Sequence, residues 1–269
     1  MITDKRLVVV KYFVLILVSI VSLFPLIWMV ISATNKSADV LTGTLLPGSY
    51  LIENLNTLLE KTTLLRSLWN SIRNSFIATI GCLIICSIAG YGFEIYHDKA
   101  KDILMKILLL SMMVPFAVTM IPLFMLFGKL NLMSTTTAFV LPMLSMAYII
   151  FLFRQSNKSF PLEVIEAARM EGMGELRIFL SIYVPMMKPT YAAAGVMTFM
   201  NVWNDYLWSL VILQEEKSKT MPLLISNMTS GYVIDYGALM LAVTISVIPT
   251  LIVFLFLQKN FARGITSQI

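Results

Sequence analysis

Charge is what this chain of 269 residues has least of: 20 Lys and Arg, 15 Asp and Glu and one histidine leave it only 13% charged. Soluble domains carry roughly 25% charged residues, so the usual water-facing coat is missing. With 58% hydrophobic residues and a mean hydropathy of +0.83, the chain reads as an integral membrane protein. Histidine scarcity excludes most embedded catalysis, because such an enzyme needs a convergent set of titratable groups inside the membrane. The one histidine, His97, stands beside Asp98 and Lys99 and reads as a solvated loop residue. The two cysteines, Cys82 and Cys86, are four apart on one helix face; they suit neither a disulfide framework nor, without histidine partners, a zinc site. The stretch GTLLPGS imitates the front of a phosphate-binding loop, but Ser49 stands where lysine is required, so no ATP site is visible. Soluble domains, internal repeats and low-complexity tracts are also missing, which leaves a single transmembrane domain over residues 1–269. The nineteen methionines read as packing within it.

Six nearly uncharged runs are present, at about 12–33, 75–93, 107–128, 132–153, 189–214 and 236–257. Each is about 20 residues or longer, and at ~1.5 Å of rise per residue such a helix crosses a hydrocarbon core ~30 Å thick. The expected fold is therefore all-α with six transmembrane helices. Lys and Arg set the orientation, since short cytoplasmic loops retain them. An N-terminus inside puts thirteen of them in the cytoplasm and seven outside, so both termini are expected to be cytoplasmic. The net charge of +5 then reflects topology, and no nucleic-acid surface is called for. The first run is too long for a signal peptide and should stay as a helix. Outside, Gly43, Pro47 and Gly48 break the chain before a short amphipathic helix expected from Ile52. Prolines at 25, 115, 122, 142, 189 and 249 fall in or beside five spans and predict kinks.

Between the fourth and fifth runs lies a polar segment, Pro161 to Pro189, with an acidic, alanine-centred centre that a lipid-facing chain has no packing reason to carry. It reads as a docking site for a soluble partner. Pro161 suits a first helical position, and Glu163 and Glu166 complement the positive end of the helix dipole. Ile165, Ala168 and Met173 are expected to offer a small apolar patch, and Ala167 and Ala168 remove bulk where a partner would close. Gly172 and Gly174 permit a sharp turn before an apolar run that includes Leu176, Phe179, Leu180, Ile182 and Tyr183 and leads to Pro185.

In the fifth run Asn201, Asn204, Asp205 and Trp208 recur at spacings of three, four and seven, which draws a polar stripe on one helix face. Asp205 is the one formal charge well inside a span, and such groups face a bundle interior or water. Two readings stand side by side: a substrate path in which Trp203 or Trp208 stacks on a sugar, or a structural clamp in which Asp205 pairs with a neighbouring helix.

Glu166, Ala167, Ala168, Gly172, Ile182 and Pro185 match the loop E-A-A-x3-G-x9-I-x-L-P of bacterial ATP-binding-cassette (ABC) importer permeases, with Val184 in place of leucine. The stretches NSFIATIGCLIICSIAGYGF, MVPFAVTMIPLF, FMNVWNDYLW and FARGI extend the likeness over nearly the whole chain, which resembles the carbohydrate, maltose-transporter type of permease. The resemblance implies a type I importer fold with a cytoplasmic coupling helix between spans four and five, in a bacterial inner-membrane protein. It implies no enzymatic site in this chain: ATP and Mg²⁺ bind a separate ATPase, two copies of which act on the assembly. It also implies a second, homologous permease subunit, an extracytoplasmic solute-binding protein and a sugar or oligosaccharide substrate, with Glu166 anchoring the coupling helix in the ATPase. Relatives of this type often end in a glycine- and lysine-containing tail, whereas this chain finishes GITSQI. Amino acids, peptides or sugar phosphates are the alternative solutes. A secondary transporter would need more intramembrane ionisable residues than Asp205.

Overall fold

The computed structural model describes residues 5–266, with side chains described over 8–258. The FARGI side chains and the final Ser-Gln-Ile of the atypical tail lie outside the described residues. In chain order the helices are α1 (Lys5–Ser32), α2 (Ser37–Leu41), α3 (Leu51–Lys61), α4 (Leu64–Ile95), α5 (Lys99–Ser111), α6 (Phe116–Lys129), α7 (Thr136–Val140) and α8 (Ala147–Asn157). They continue with α9 (Leu162–Met170), α10 (Glu175–Ile178), α11 (Val184–Met186), α12 (Lys188–Trp203), α13 (Leu207–Ile212), α14 (Met221–Met228) and α15 (Tyr236–Thr266). No strand occurs among the described residues.

Among the described residues three helices are long and apolar enough to cross a membrane unbroken: Val8–Ser32, Leu64–Ile95 and Tyr236–Gln258. The third and fourth expected spans are each a bent pair. α5 and α6 meet at 96°, and the segment Thr136–Met143 meets α8 at 41°. Pro115 explains the sharper bend, since it disfavours helical backbone at Val114 and then starts α6 as its N-cap. The fifth expected span also differs: α12 stops at Trp203, eleven residues short of the expected end at 214.

The chain forms two compact units. One runs up to Leu65 and includes Leu224–Ile248. Its lipid-compatible part is α1, whose large apolar side chains from Val9 to Val30 are almost all exposed, as a helix surrounded by hydrocarbon requires. The expected amphipathic helix is α3. Its buried Asn54 donates to the carbonyls of Ala33 and Asn35 at 2.9 and 3.0 Å, closing the chain over the end of α1.

The other unit runs from Arg66 to Leu223 and continues from Pro249. Its larger core joins Cys82 and Cys86 of α4, Ile149 and Phe153 of α8, Ile165 and Ala168 of α9, and Tyr183. A second cluster gathers Ala78, Phe127, Phe139, Trp208 and Ile212. Gly90 sets the spacing of α4 and α8, because a Cβ there would come within 2.5 Å of Phe153 Cβ and 3.1 Å of Arg154 N. Cys82 and Cys86 are free and buried, as packing residues.

Candidate functional site

α9 opens on Pro161 as N-cap, with Glu163 in its first turn where a carboxylate meets the positive helix end. Ile165 and Ala168 turn inward and are buried against Phe160, Ile178 and Tyr183. This corrects the expected apolar patch: that stripe is spent on the protein's own core, and Ala168 is small because α9 lies close to its own unit. What faces outward is acidic and alanine-lined, with Glu163, Glu166 and Ala167 exposed. Met170 and Leu176 frame it at 89% and 72% exposure.

Gly172 ends the helix with φ +77°, in the left-handed region that costs other residues roughly 1–2 kcal/mol. The Met173 amide donates to the Ala168 carbonyl and the Gly172 amide to that of Arg169, both at 3.0 Å, the paired bonds of a Schellman cap. Across this turn Arg169 Nε donates to Glu175 Oε1 at 2.6 Å, while the Tyr91 hydroxyl donates to Oε2 at 3.3 Å. The Arg169 guanidinium also lies 5.5 Å above the Tyr96 ring. Arg169, with the Tyr96 hydroxyl, holds the Glu175 carboxyl below the usual carboxylate range. The loop is thus fixed at both sides of its glycine.

Beyond α10 the chain makes one π-helical turn, Phe179–Tyr183, before α11. Such insertions often mark working segments. Tyr183 is buried, stacked on Phe179 at 5.1 Å, and its hydroxyl donates to Asn157 at the end of α8. Ile182 is half-buried, and Pro185 is exposed near the start of α11. Arg154 of α8 binds Glu94 at 3.2 Å and also Asp102, which ties α4, α5 and α8 together at this end. Of the six loop residues Glu166, Ala167, Gly172 and Pro185 are therefore exposed, Ile182 packs half-buried against the core, and Ala168 is buried in it.

The fifth-span residues are brought together differently from the expectation. Because α12 ends at Trp203, the four polar positions do not form one continuous helical stripe. Asn204 caps that end, its Nδ2 donating to the Met200 carbonyl at 2.8 Å. Asp205 stands two residues before α13 and bonds into its first turn: Oδ1 accepts from the Ser209 amide at 2.9 Å and from its hydroxyl at 3.3 Å. Of the two readings, the clamp to a neighbouring helix is not formed among the described residues: Asp205 bonds to Ser209, four residues on, instead. Both indoles are buried. Trp208 Nε1 donates to the carbonyls of Ala138 and Phe139 at 3.3 Å, and Trp203 stacks on Phe199 at 5.6 Å. Asn201 is exposed, and its Nδ2 donates to the Tyr148 hydroxyl at 3.1 Å. Tyr148 is absent from the sequence-based set; a lone phenol in an apolar run carries no signal until the fold sets it beside Asn201.

An all-helical body of long apolar helices that displays an acidic surface helix on a glycine-capped turn is the architecture of a membrane transport component. The description "binding-protein-dependent transport system inner membrane component" matches residues 83–267, and the chain belongs to that family. It is 41% identical over 261 residues to the lactose transport system permease protein LacG of Rhizobium radiobacter, covering 97% of this chain and 96% of that one. It is 31% identical over 266 residues to the arabinooligosaccharides transport system permease protein AraQ of Bacillus subtilis, covering 97% and 94%. A chain from the crystal structure of a bacterial ABC transporter involved in the import of the acidic polysaccharide alginate superposes with a TM-score of 0.83 at 22% identity. It covers 97% of this chain and 98% of its own, which shows the type I importer permease fold.

Proposed function

We propose that this inner-membrane component is one of two different but homologous permease subunits of an ATP-driven sugar or oligosaccharide importer. In this reading residues 1–269 act as a single transmembrane domain of six spans with both termini in the cytoplasm, two of the spans being the bent helix pairs. Two copies of a cytoplasmic ATPase bind ATP and Mg²⁺, and a solute-binding protein delivers cargo on the opposite side. The sugar assignment is supported by the names of the lactose and arabinooligosaccharide relatives.

The observation that carries the reading is the exposed Glu163–Glu166–Ala167 face of α9, held on a turn that is pinned on both sides of Gly172. An exposed carboxylate near a helix start accepts charge-assisted hydrogen bonds, each worth about 1.5–3 kcal/mol, from a basic groove. A rigid handle matters because a partner shifts a conformational equilibrium only by its difference in affinity for the two states. Pushing on α9 moves Ile165 and Ala168, and through them the core shared with α4, α8 and Tyr183. ATP-driven closure of the ATPase thereby switches the cavity from inward- to outward-facing.

For the pathway, the exposed Asn201 and Asn204 are the groups available to sugar hydroxyls, with Tyr148 orienting Asn201. Trp203, Asp205 and Trp208 then shape the wall from behind: the indoles fill the core, and Asp205 fixes the break between α12 and α13. The decisive experiment is uptake against ATP hydrolysis in a Glu166→Lys, Gly172→Pro double variant. The reading expects hydrolysis without uptake in a protein still inserted in the membrane; unchanged uptake would defeat it.

A further inference from the structure

At the far end of α4 from the coupling loop is a polar crevice of about 260 Å³. Arg66, Asn70, Arg73 and Asn74 line it from α4, at helical spacings of four, seven and eight that put them on one face. The segments 134–136 and 213–218 close its other sides. The crevice is held in shape. Buried Asn70 donates through Nδ2 to the carbonyls of Lys217 and Lys219, each at 3.0 Å. Ser134 Oγ accepts from the amides of Gln214 and Glu215 at 3.0 and 3.1 Å. Buried Asn74 offers Oδ1 to both Nε and Nη2 of Arg73 at 3.3 Å, which aims that guanidinium.

The charges do not balance. Lys217 is paired with Glu215 at 2.7 Å, but among the described residues neither Arg66 nor Arg73 has an ion-pair partner. Two guanidiniums without a carboxylate, Arg66 exposed and Arg73 held by Asn74 with Nη1 still to donate, suit an incoming carboxylate, which arginine binds through strong charge-assisted hydrogen bonds. An anionic lipid headgroup is less suited, since its acyl chains need an apolar continuation and Leu213 is the one apolar residue in the lining.

Position selects the source of that carboxylate. Asn70 and Tyr91 stand on the same helix, and Tyr91 reaches the coupling turn at Glu175. Twenty-one residues at ~1.5 Å each separate them by about 32 Å, close to one hydrocarbon thickness. The crevice therefore opens on the membrane face opposite the coupling helix, where a binding-protein-dependent permease meets its delivery protein. We propose that it receives an acidic side chain of the solute-binding protein and so seats that protein on this subunit; the inference rests on the importer reading above.

The test uses the complete assembly of both permeases and the ATPase in nanodiscs, with fluorescently labelled, solute-loaded binding protein. Arg66→Glu combined with Lys217→Glu should weaken docking about tenfold or more and flatten its salt dependence, and lysine at the matching acidic residue of the binding protein should restore it. Arg73→Gln, in assemblies shown by size-exclusion chromatography to be intact, should weaken docking in the same direction. Affinities within twofold of the unmutated assembly in both variants would overturn the proposal. So would an effect that follows the anionic lipid fraction of the nanodisc instead of the binding protein. Failure of the unmutated assembly to bind the loaded protein at all would instead count against the importer reading.

Discussion

The Tyr183 hydroxyl donates a 2.8 Å hydrogen bond to Asn157 Oδ1, and both residues are buried. Asn157 is the last residue of α8 and Tyr183 closes the π turn, so this bond clamps the two stretches of chain that enter and leave the α9–α10 loop. Tyr183→Phe should lower stability by about 1–3 kcal/mol, because a buried acceptor loses its donor. Asn157 Nδ2 already lacks a partner. Adding Asn157→Leu should therefore recover much of the loss, by removing both polar atoms. Melting temperatures of the two variants in detergent check this.

The Schellman turn makes Gly172 a backbone requirement. Gly172→Ala should cost roughly 1–2 kcal/mol locally and Gly172→Val more, while Gly172→Asn should be better tolerated. The readout is the ratio of solute uptake to ATP hydrolysed, expected to fall in the order Gly, Asn, Ala, Val.

Adjacent alanines should behave oppositely. Ala168 is buried and Ala167 exposed. Ala168→Leu overpacks the core at a cost of about 1–3 kcal/mol. Ala167→Leu should leave the melting temperature within a degree or two but weaken co-purification of the ATPase. Equal effects of both on melting would show that α9 is oriented otherwise.

Asp205 caps α13, so the acceptor matters more than the charge. Asp205→Asn keeps an oxygen for the Ser209 amide and should stay near wild type in stability; Asp205→Ala should lose about 1 kcal/mol. If transport instead fails equally in both variants, the carboxylate charge itself is required.

Arg169 beside Glu175 depresses the carboxyl's pKa in the folded chain. A depressed acid stabilises above its unfolded pKa, near 4.3, and that contribution fades as pH falls through the lower folded value. Hydrogen exchange at residues 169–175, corrected for intrinsic rates, should therefore show constant protection from neutral pH down to the ordinary glutamate range and lose it only at pH below that range.

Helicity, membrane residence and the surface helix with its glycine turn were legible in the sequence because each depends on local features: apolar run length, Pro161, and glycine six residues after Glu166. Other features depend on tertiary context. The spacing of Ile165 and Ala168 predicts a stripe, but only the fold tells that the stripe faces its own core. The stripe through Asn201, Asn204, Asp205 and Trp208 assumes an unbroken helix; Asn204 and Asp205 instead cap the two sides of a break, and Trp208 swings inward. Arg169 with Glu175 and Asn201 with Tyr148 are pairs set by the turn and by helix packing.

The most direct measurement is labelling of Ala167→Cys by a membrane-impermeant maleimide, in a background with Cys82 and Cys86 replaced, using sealed vesicles of both orientations. The account predicts labelling from the cytoplasmic side alone, with protection once the ATPase is bound. Labelling from the external side, or no protection by the bound ATPase, would contradict it.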